Sequence, residues 1–163
     1  MTRRTAAELD LLMRQLGRDL DLDFRGPAGF FEDADLATAR AADRSPRVTD
    51  LAVVRDLDAA EQLLANRLKT HQGELAPLGH PEYGSRHYEL IGQPNTQRTR
   101  NLIKLYVLEA LAREPRVEKV LDCKVYAPHD PPRDQVRIEL DVRLIGEPNP
   151  LNLVVPFSLE VGA

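Results

Sequence analysis

Pro115 divides a strongly helical run from three runs of strict alternation, and few architectures accommodate that order. Before it, Leu102, Ile103, Leu105, Tyr106, Val107, Leu108, Ala110 and Leu111 surround most of one helical cylinder, which predicts a central, largely buried helix capped by Asn95 or Thr96 and running to about Arg113. After it, Leu121, Cys123 and Val125 alternate with Asp122 and Lys124. Val136, Ile138, Leu140, Val142 and Leu144 alternate with Arg137, Glu139, Asp141 and Arg143. Leu151, Leu153, Val155, Phe157, Leu159 and Val161 form the last run. Loops at 127–134 and 146–150 make an antiparallel meander the simplest connection. The sheet's apolar face then packs on the central helix, so the expected fold is a two-layer α+β single domain. Pro156 cannot donate to a ladder, so its strand is expected at an edge or with a bulge, either to blunt that edge or to dock a partner.

The N-terminal half is less regular. Thr5 and Glu8 form a capping box ahead of Leu9, Leu12, Met13 and Leu16, predicting a short amphipathic helix over 5–16 whose stripe must dock on something. Leu20, Leu22 and Phe24 suggest a short strand. Residues 25–47 show no sustained period and read as a long loop, mobile or ordered by a partner, with another extended piece at 48–54. A helix begins at Asp56 or Asp58, carries Leu57, Ala60, Leu64 and Leu68 on one face, and is expected to stop at Gly73. A connection over 74–84 leads to two helical turns over 85–91, stopped by Gly92. The expected organisation is an extension over 1–47 and a core over 48–163.

The totals exclude several classes. Of 163 residues, 29% are charged, yet the net charge is only -4, so there is no overall basic footprint for nucleic acid. Apolar runs are too short to span a bilayer, no signal-peptide pattern is present, and one cysteine, Cys123, cannot form an intrachain disulfide. Synthesis in the cytoplasm fits these features.

Enzyme chemistry finds little support. No nucleophile elbow, Walker loop or dinucleotide fingerprint occurs. His71, His80, His87 and His129 lack a recognised ligand spacing and read as solvated loop histidines, so neither a metal nor another cofactor is expected. Glu74 and Glu82, flanking a loop with Tyr83, are the candidate pair for a muramidase, but such a pair needs a raised pKa and a cleft.

Charges at the corner are more specific. If the segment after Pro115 is extended, Glu114 and Arg116 share one side, either as an internal ion pair or as a stiff two-charge plug for a partner. Arg98, Arg100 and Lys104 cluster near the start of the central helix, as a solvated patch or as a contact for an acidic partner.

Five segments occur in a telling order: 66–75 (Asn-Arg-Leu-Lys-Thr-His-Gln-Gly-Glu-Leu), 80–84 (His-Pro-Glu-Tyr-Gly), 90–92 (Leu-Ile-Gly), 112–117 (Ala-Arg-Glu-Pro-Arg-Val) and 152–157 (Asn-Leu-Val-Val-Pro-Phe). Together they resemble the baseplate assembly protein W family, the small wedge proteins of contractile phage tails, type VI secretion and extracellular contractile injection systems. The resemblance implies a structural, non-enzymatic role within a six-fold particle, in multiple copies. The implied partners are other wedge proteins and their core bundle, the central hub or spike, and a sheath subunit docked by strand addition, with no nucleic acid and no membrane insertion. It carries the family's wedge-contact motif onto Glu114, Pro115 and Arg116, and makes Arg98, Arg100, Tyr83 and Glu74 further candidate partner-binding residues. The competing reading is a cytoplasmic adaptor or anti-adaptor of the same fold, and a third is a lysozyme-like muramidase.

Overall fold

The computed structural model describes residues 17–26, 29–40, 49–128 and 134–160. The helix expected over 5–16 lies outside them, as does His129. The fold is mixed α+β, and the chain divides into two compact units, residues 1–63 and 64–163.

In the first unit, extended segments cover β1 (Arg18–Leu20), β2 (Leu22–Gly26), β3 (Gly29–Leu36), β4 (Thr38–Arg40), β5 (Thr49–Leu51) and β6 (Val53–Arg55). They pair as three antiparallel two-stranded ladders, β1 with β6, β2 with β3 and β4 with β5. Single residues join the strands in sequence, Asp21 between β1 and β2, Ala37 between β3 and β4, and Ala52 between β5 and β6. Their backbones close a hydrogen-bonded triangle. Asp21 N donates to Ala52 O at 2.9 Å, Ala52 N to Ala37 O at 2.8 Å, and Ala37 N to Asp21 O at 2.9 Å. Three continuous strands thus cross from one ladder to the next around a central point.

These ladders correct the expectation of a long loop over 25–47, which holds the end of β2 and all of β3 and β4. The period was hidden by the change of partner at Ala37 and by a register shift between Asp23 and Arg25 in the β2–β3 ladder. Neither interruption resembles a turn in the sequence.

α1 (Asp56–Lys69) begins with two acidic residues in its first turn and ends with two basic ones, both favourable to the helix dipole. Asp56 takes a left-handed φ of 53°, a conformation that Asp tolerates better than most residues. Gln62 ties α1 to the ladders: its amide donates to Leu20 O at 2.7 Å, and its carbonyl accepts from Leu22 N at 2.8 Å. The helix stops at Lys69, four residues before Gly73. Thr70 Oγ1 donates to Asn66 O at 2.8 Å and the Tyr88 hydroxyl to Lys69 O at 2.9 Å, satisfying terminal carbonyls. Gly73, at φ 92°, lies in the turn beyond.

The second unit is built on α2 (Gln97–Ala112) and the sheet β7 (Val117–Tyr126), β8 (Gln135–Leu144) and β9 (Leu151–Ser158), in the order β7-β8-β9. Thr96 caps α2 by accepting from Thr99 N at 3.2 Å. Ile103, Val107, Ala110 and Leu111 are buried, as are Leu64 and Leu68 from the end of α1. The sheet supplies Val136, Ile138, Leu140, Val142 and Leu144 from β8, with Leu153, Val155 and Phe157 from β9. β8 is the central strand, which is why its alternation is the cleanest in the chain. Pro156 lies on edge strand β9, exposed and opposite Arg137 in unbroken register. The irregularities fall instead in β7, between Val117 and Lys119 and between Val120 and Asp122.

His87 corrects the expectation of solvated histidines. It lies in the 3₁₀ segment Arg86–Leu90, is 1% exposed, and meets Ser85 Oγ through Nδ1 at 2.8 Å. Its ring stands edge-on to Phe157 with centroids 4.5 Å apart, and the Tyr88 ring also lies 4.5 Å away. Burial, assisted by nearby His71, lowers its pKa from 6.5 to about 3, so the folded protein holds a neutral imidazole. The unfolded chain binds a proton below pH 6.5 that the folded chain refuses until about pH 3. Stability is therefore expected to fall as pH drops through that window, by up to about 1.4 kcal/mol per pH unit. Urea denaturation at pH 7 and pH 4.5 should show a loss about 2–3 kcal/mol greater for the native chain than for His87→Leu.

Candidate functional site

Three of the sequence segments converge where α2 ends. Pro115 forbids a further helical turn, and Glu114 O accepts from Val117 N at 3.1 Å, closing a β-turn with Pro115 at its first central position. Arg116 O accepts from Ile145 N at 2.9 Å, which fastens the turn to the end of β8.

That turn changes the directions of the side chains. The period-two rule holds only for an extended segment, and residues 114–117 are not extended. Glu114 therefore turns inward, 6% exposed, and its contact with Arg116 is the internal ion pair, one of the two expected readings. Its Oε2 accepts from Arg67 Nη2 at 2.9 Å and from Arg67 Nε at 3.2 Å. Its Oε1 accepts from the Arg116 amide at 3.4 Å and lies 3.9 Å from Arg116 Nη1. Arg67, in the last turn of α1, is itself only 8% exposed. Pro115 remains exposed and Arg116 half-buried.

The pair is roofed from the loop after α1. The Arg67 guanidinium lies over the Tyr83 ring, 4.6 Å from its centroid. Gly84 sets that ring in place: it has φ 99°, and a Cβ there would come within 2.6 Å of Thr70 O and 2.8 Å of His71 O. Only glycine permits this approach, which lets Ser85 N donate to Thr70 O at 2.9 Å. Glu82, on the same loop, lies 3.4 Å from Arg113 Nε.

The other candidates lie elsewhere. Glu74 is exposed, and its carboxylate accepts from the His71 amide at 3.1 Å, closing the turn after α1. Glu74 and Glu82 are thus both exposed and engaged with this chain's own groups, unlike a catalytic acid held in an apolar pocket. Arg98 is exposed at the start of α2, about 24 Å along the helix from Glu114. Arg100 donates through Nη1 to Asn95 Oδ1 at 2.7 Å and through Nη2 to Gln97 Oε1 at 3.2 Å, bracing the N-terminal end of the helix. Tyr83, Glu114, Pro115 and Arg116 form one corner, and Arg98, Arg100 and Glu74 are not part of it.

Arg67, quoted in the segment 66–75, is the residue whose role at the corner sequence reasoning missed. It stands on the same face of α1 as Leu64 and Leu68, and a charge inside an apolar stripe is the available sign of a buried partner. Among the described residues, no group of His, Cys, Asp and Glu is arranged to hold a metal ion, and no helix is long and apolar enough to cross a membrane.

The motif residues of this α+β fold thus converge on one braced corner. The sequence matches the model of the family described as Baseplate wedge protein gp25 over residues 54–149, more than half of the chain, and the chain belongs to that family. Among solved structures, it is similar to a protein from Geobacter sulfurreducens described as a candidate tail lysozyme. Identity is 26% and the TM-score 0.54, with 63% of this chain and 90% of that one covered. No curated protein matches.

The buried pair gives a direct expectation. Glu114→Ala strands Arg67 without its acceptor, and is expected to cost about 3–5 kcal/mol in chemical denaturation. Arg67→Met combined with Glu114→Leu removes both charges, and should recover most of that loss.

Proposed function

We propose that this chain is a structural component of the baseplate wedge in a phage tail-like contractile particle, joining the other wedge proteins and their core bundle to the first ring of sheath. The observation that carries this reading is the family match, which runs continuously through α1, the corner, α2 and most of the sheet. The protein acts by assembly and not by catalysis. The lysozyme description of its structural relative is tested by incubating the pure chain with peptidoglycan, where no turnover is expected.

At the corner, Pro115 and Arg116 are the residues that meet other wedge proteins, while Glu114 holds the turn from within. Arg116 is partly exposed and is not the principal partner of Glu114, so Arg116→Ala should change stability by only about 0–1 kcal/mol. It should nevertheless block assembly. A strain carrying Arg116→Ala that yields particles of normal number and length by electron microscopy would remove this role.

Sheath starts on the sheet by strand addition. β7 is a ten-residue edge strand without proline, whereas β9 carries Pro156. The Cys123 amide points outward to its neighbour's side chain, Asp122 Oδ1 at 2.8 Å, so Val125, two residues on, presents its amide on the same outer side. Val125→Pro removes that outer donor and leaves the pairing with β8 intact. It should prevent sheath growth in a chain that still melts cooperatively, and normal sheath from a folded Val125→Pro chain would exclude this edge.

A further inference from the structure

The three ladders of the first unit carry an apolar ring, half-buried at Leu22 and exposed at Leu20, Leu36, Leu51 and Val53. Leu20 lies opposite Val53, Thr38 opposite Leu51, and Leu22 opposite Leu36. Cross-strand partners share a face, and so do residues two apart along an extended strand. Leu20, Val53, Leu51, Thr38, Leu36 and Leu22 are connected in a closed circle by these two relations, so all six stand on one face around the triangle of Asp21, Ala37 and Ala52. Five of the six are apolar. Leu20, Leu36, Leu51 and Val53 are each between 41% and 48% exposed. Two-stranded ladders are marginal by themselves, and a contiguous exposed apolar patch of this kind marks an interaction site.

Charge identifies the occupant. Arg18 and Arg55 lie opposite one another at the end of the β1–β6 ladder, two residues from Leu20 and Val53, and hence on the same face as the ring. Both are exposed, neither has an ion-pair partner among the described residues, and like charges in this position repel. A second copy docked ring to ring would bring four such arginines together. The opposite parity carries Asp19, Asp23, Asp35 and Asp50, and its apolar members are small, Val54 with Ala37, Ala39 and Ala52, so it has no large side chains to complement the ring. We propose that the ring is the docking face for a segment of a different protein, one that presents apolar side chains next to carboxylates. The ring takes the apolar residues, and Arg18 and Arg55 take the acids. This surface lies almost wholly before residue 54, where the family match begins, and the proposal does not depend on the wedge reading.

The test uses the full chain in the cell that makes it, with p-benzoylphenylalanine in place of Leu36 or of Leu51 and identification of the crosslinked peptide by mass spectrometry. Both positions are expected to crosslink to one segment of a different protein, apolar and rich in Asp or Glu. Arg18→Glu combined with Arg55→Glu should lower the yield about tenfold, as expected for the loss of two partly desolvated ion pairs. Where charge reversal unfolds the chain, Arg18→Gln with Arg55→Gln replaces it, and a loss in the same direction is expected. Crosslinking to this chain's own residues 1–16, to a second copy, or to no single segment overturns the proposal. So does a yield that ignores the charge changes in a folded chain.

Discussion

A carboxylate and a guanidinium removed from water hold the second unit together at its corner. Two buried charges are costly unless each is paired and hydrogen-bonded. Glu114 and Arg67 meet that condition through two hydrogen bonds to one oxygen, while the other oxygen takes the Arg116 amide. Three consequences follow from keeping this pair dry. Tyr83 must cover Arg67, Gly84 must let the loop close over Thr70 and His71, and Pro115 must turn the chain so that Glu114 points inward. Three of the five sequence segments are thus the supports of one ion pair, brought together from separate parts of the chain.

This changes the meaning of the Glu-Pro-Arg corner. Its three residues do not act alike: Glu114 faces the interior, Pro115 is exposed, and Arg116 lies between them, half-buried. A partner that docks here meets a surface whose shape is fixed from beneath. Substitutions at Glu114 therefore disturb the fold along with the corner's surface, and those at Arg116 change the surface while leaving the buried pair in place.

The C-terminal half was legible because its periods are long and uninterrupted. Strand β8 announces itself by alternation, α2 by its apolar girth, and Pro156 by the edge it requires. Between residues 18 and 55 the extended pieces around Leu20–Phe24 and 48–54 were legible, but β3, β4 and the pairing were not, because each strand changes partner after a few residues and pairing of that kind leaves no local mark. At the corner, Tyr83, the Glu-Pro-Arg run and the segment 66–75 that holds Arg67 were visible as motifs, but the pairing of Arg67 with Glu114 was not, since a long-range ion pair has no sequence period. The direction of Glu114 was misjudged because Pro115 opens a turn as readily as a strand. His87 was misjudged because a buried neutral imidazole looks, in sequence, like any loop histidine.

The triangle of Asp21, Ala37 and Ala52 has a consequence for how the first unit forms. Each of its three strands belongs to two ladders at once, so the register of every ladder is fixed by the other two. A slip of one residue in any pairing would have to be matched around the whole circuit, and would turn Leu20, Leu36 and Leu51 to the other side together. The arrangement has no partial form with correct pairing in one arm and error in the next. Its strands span residues 18 to 55, so closing the circuit is a long-range event, and the two-stranded arms, each marginal alone, support one another through that closure.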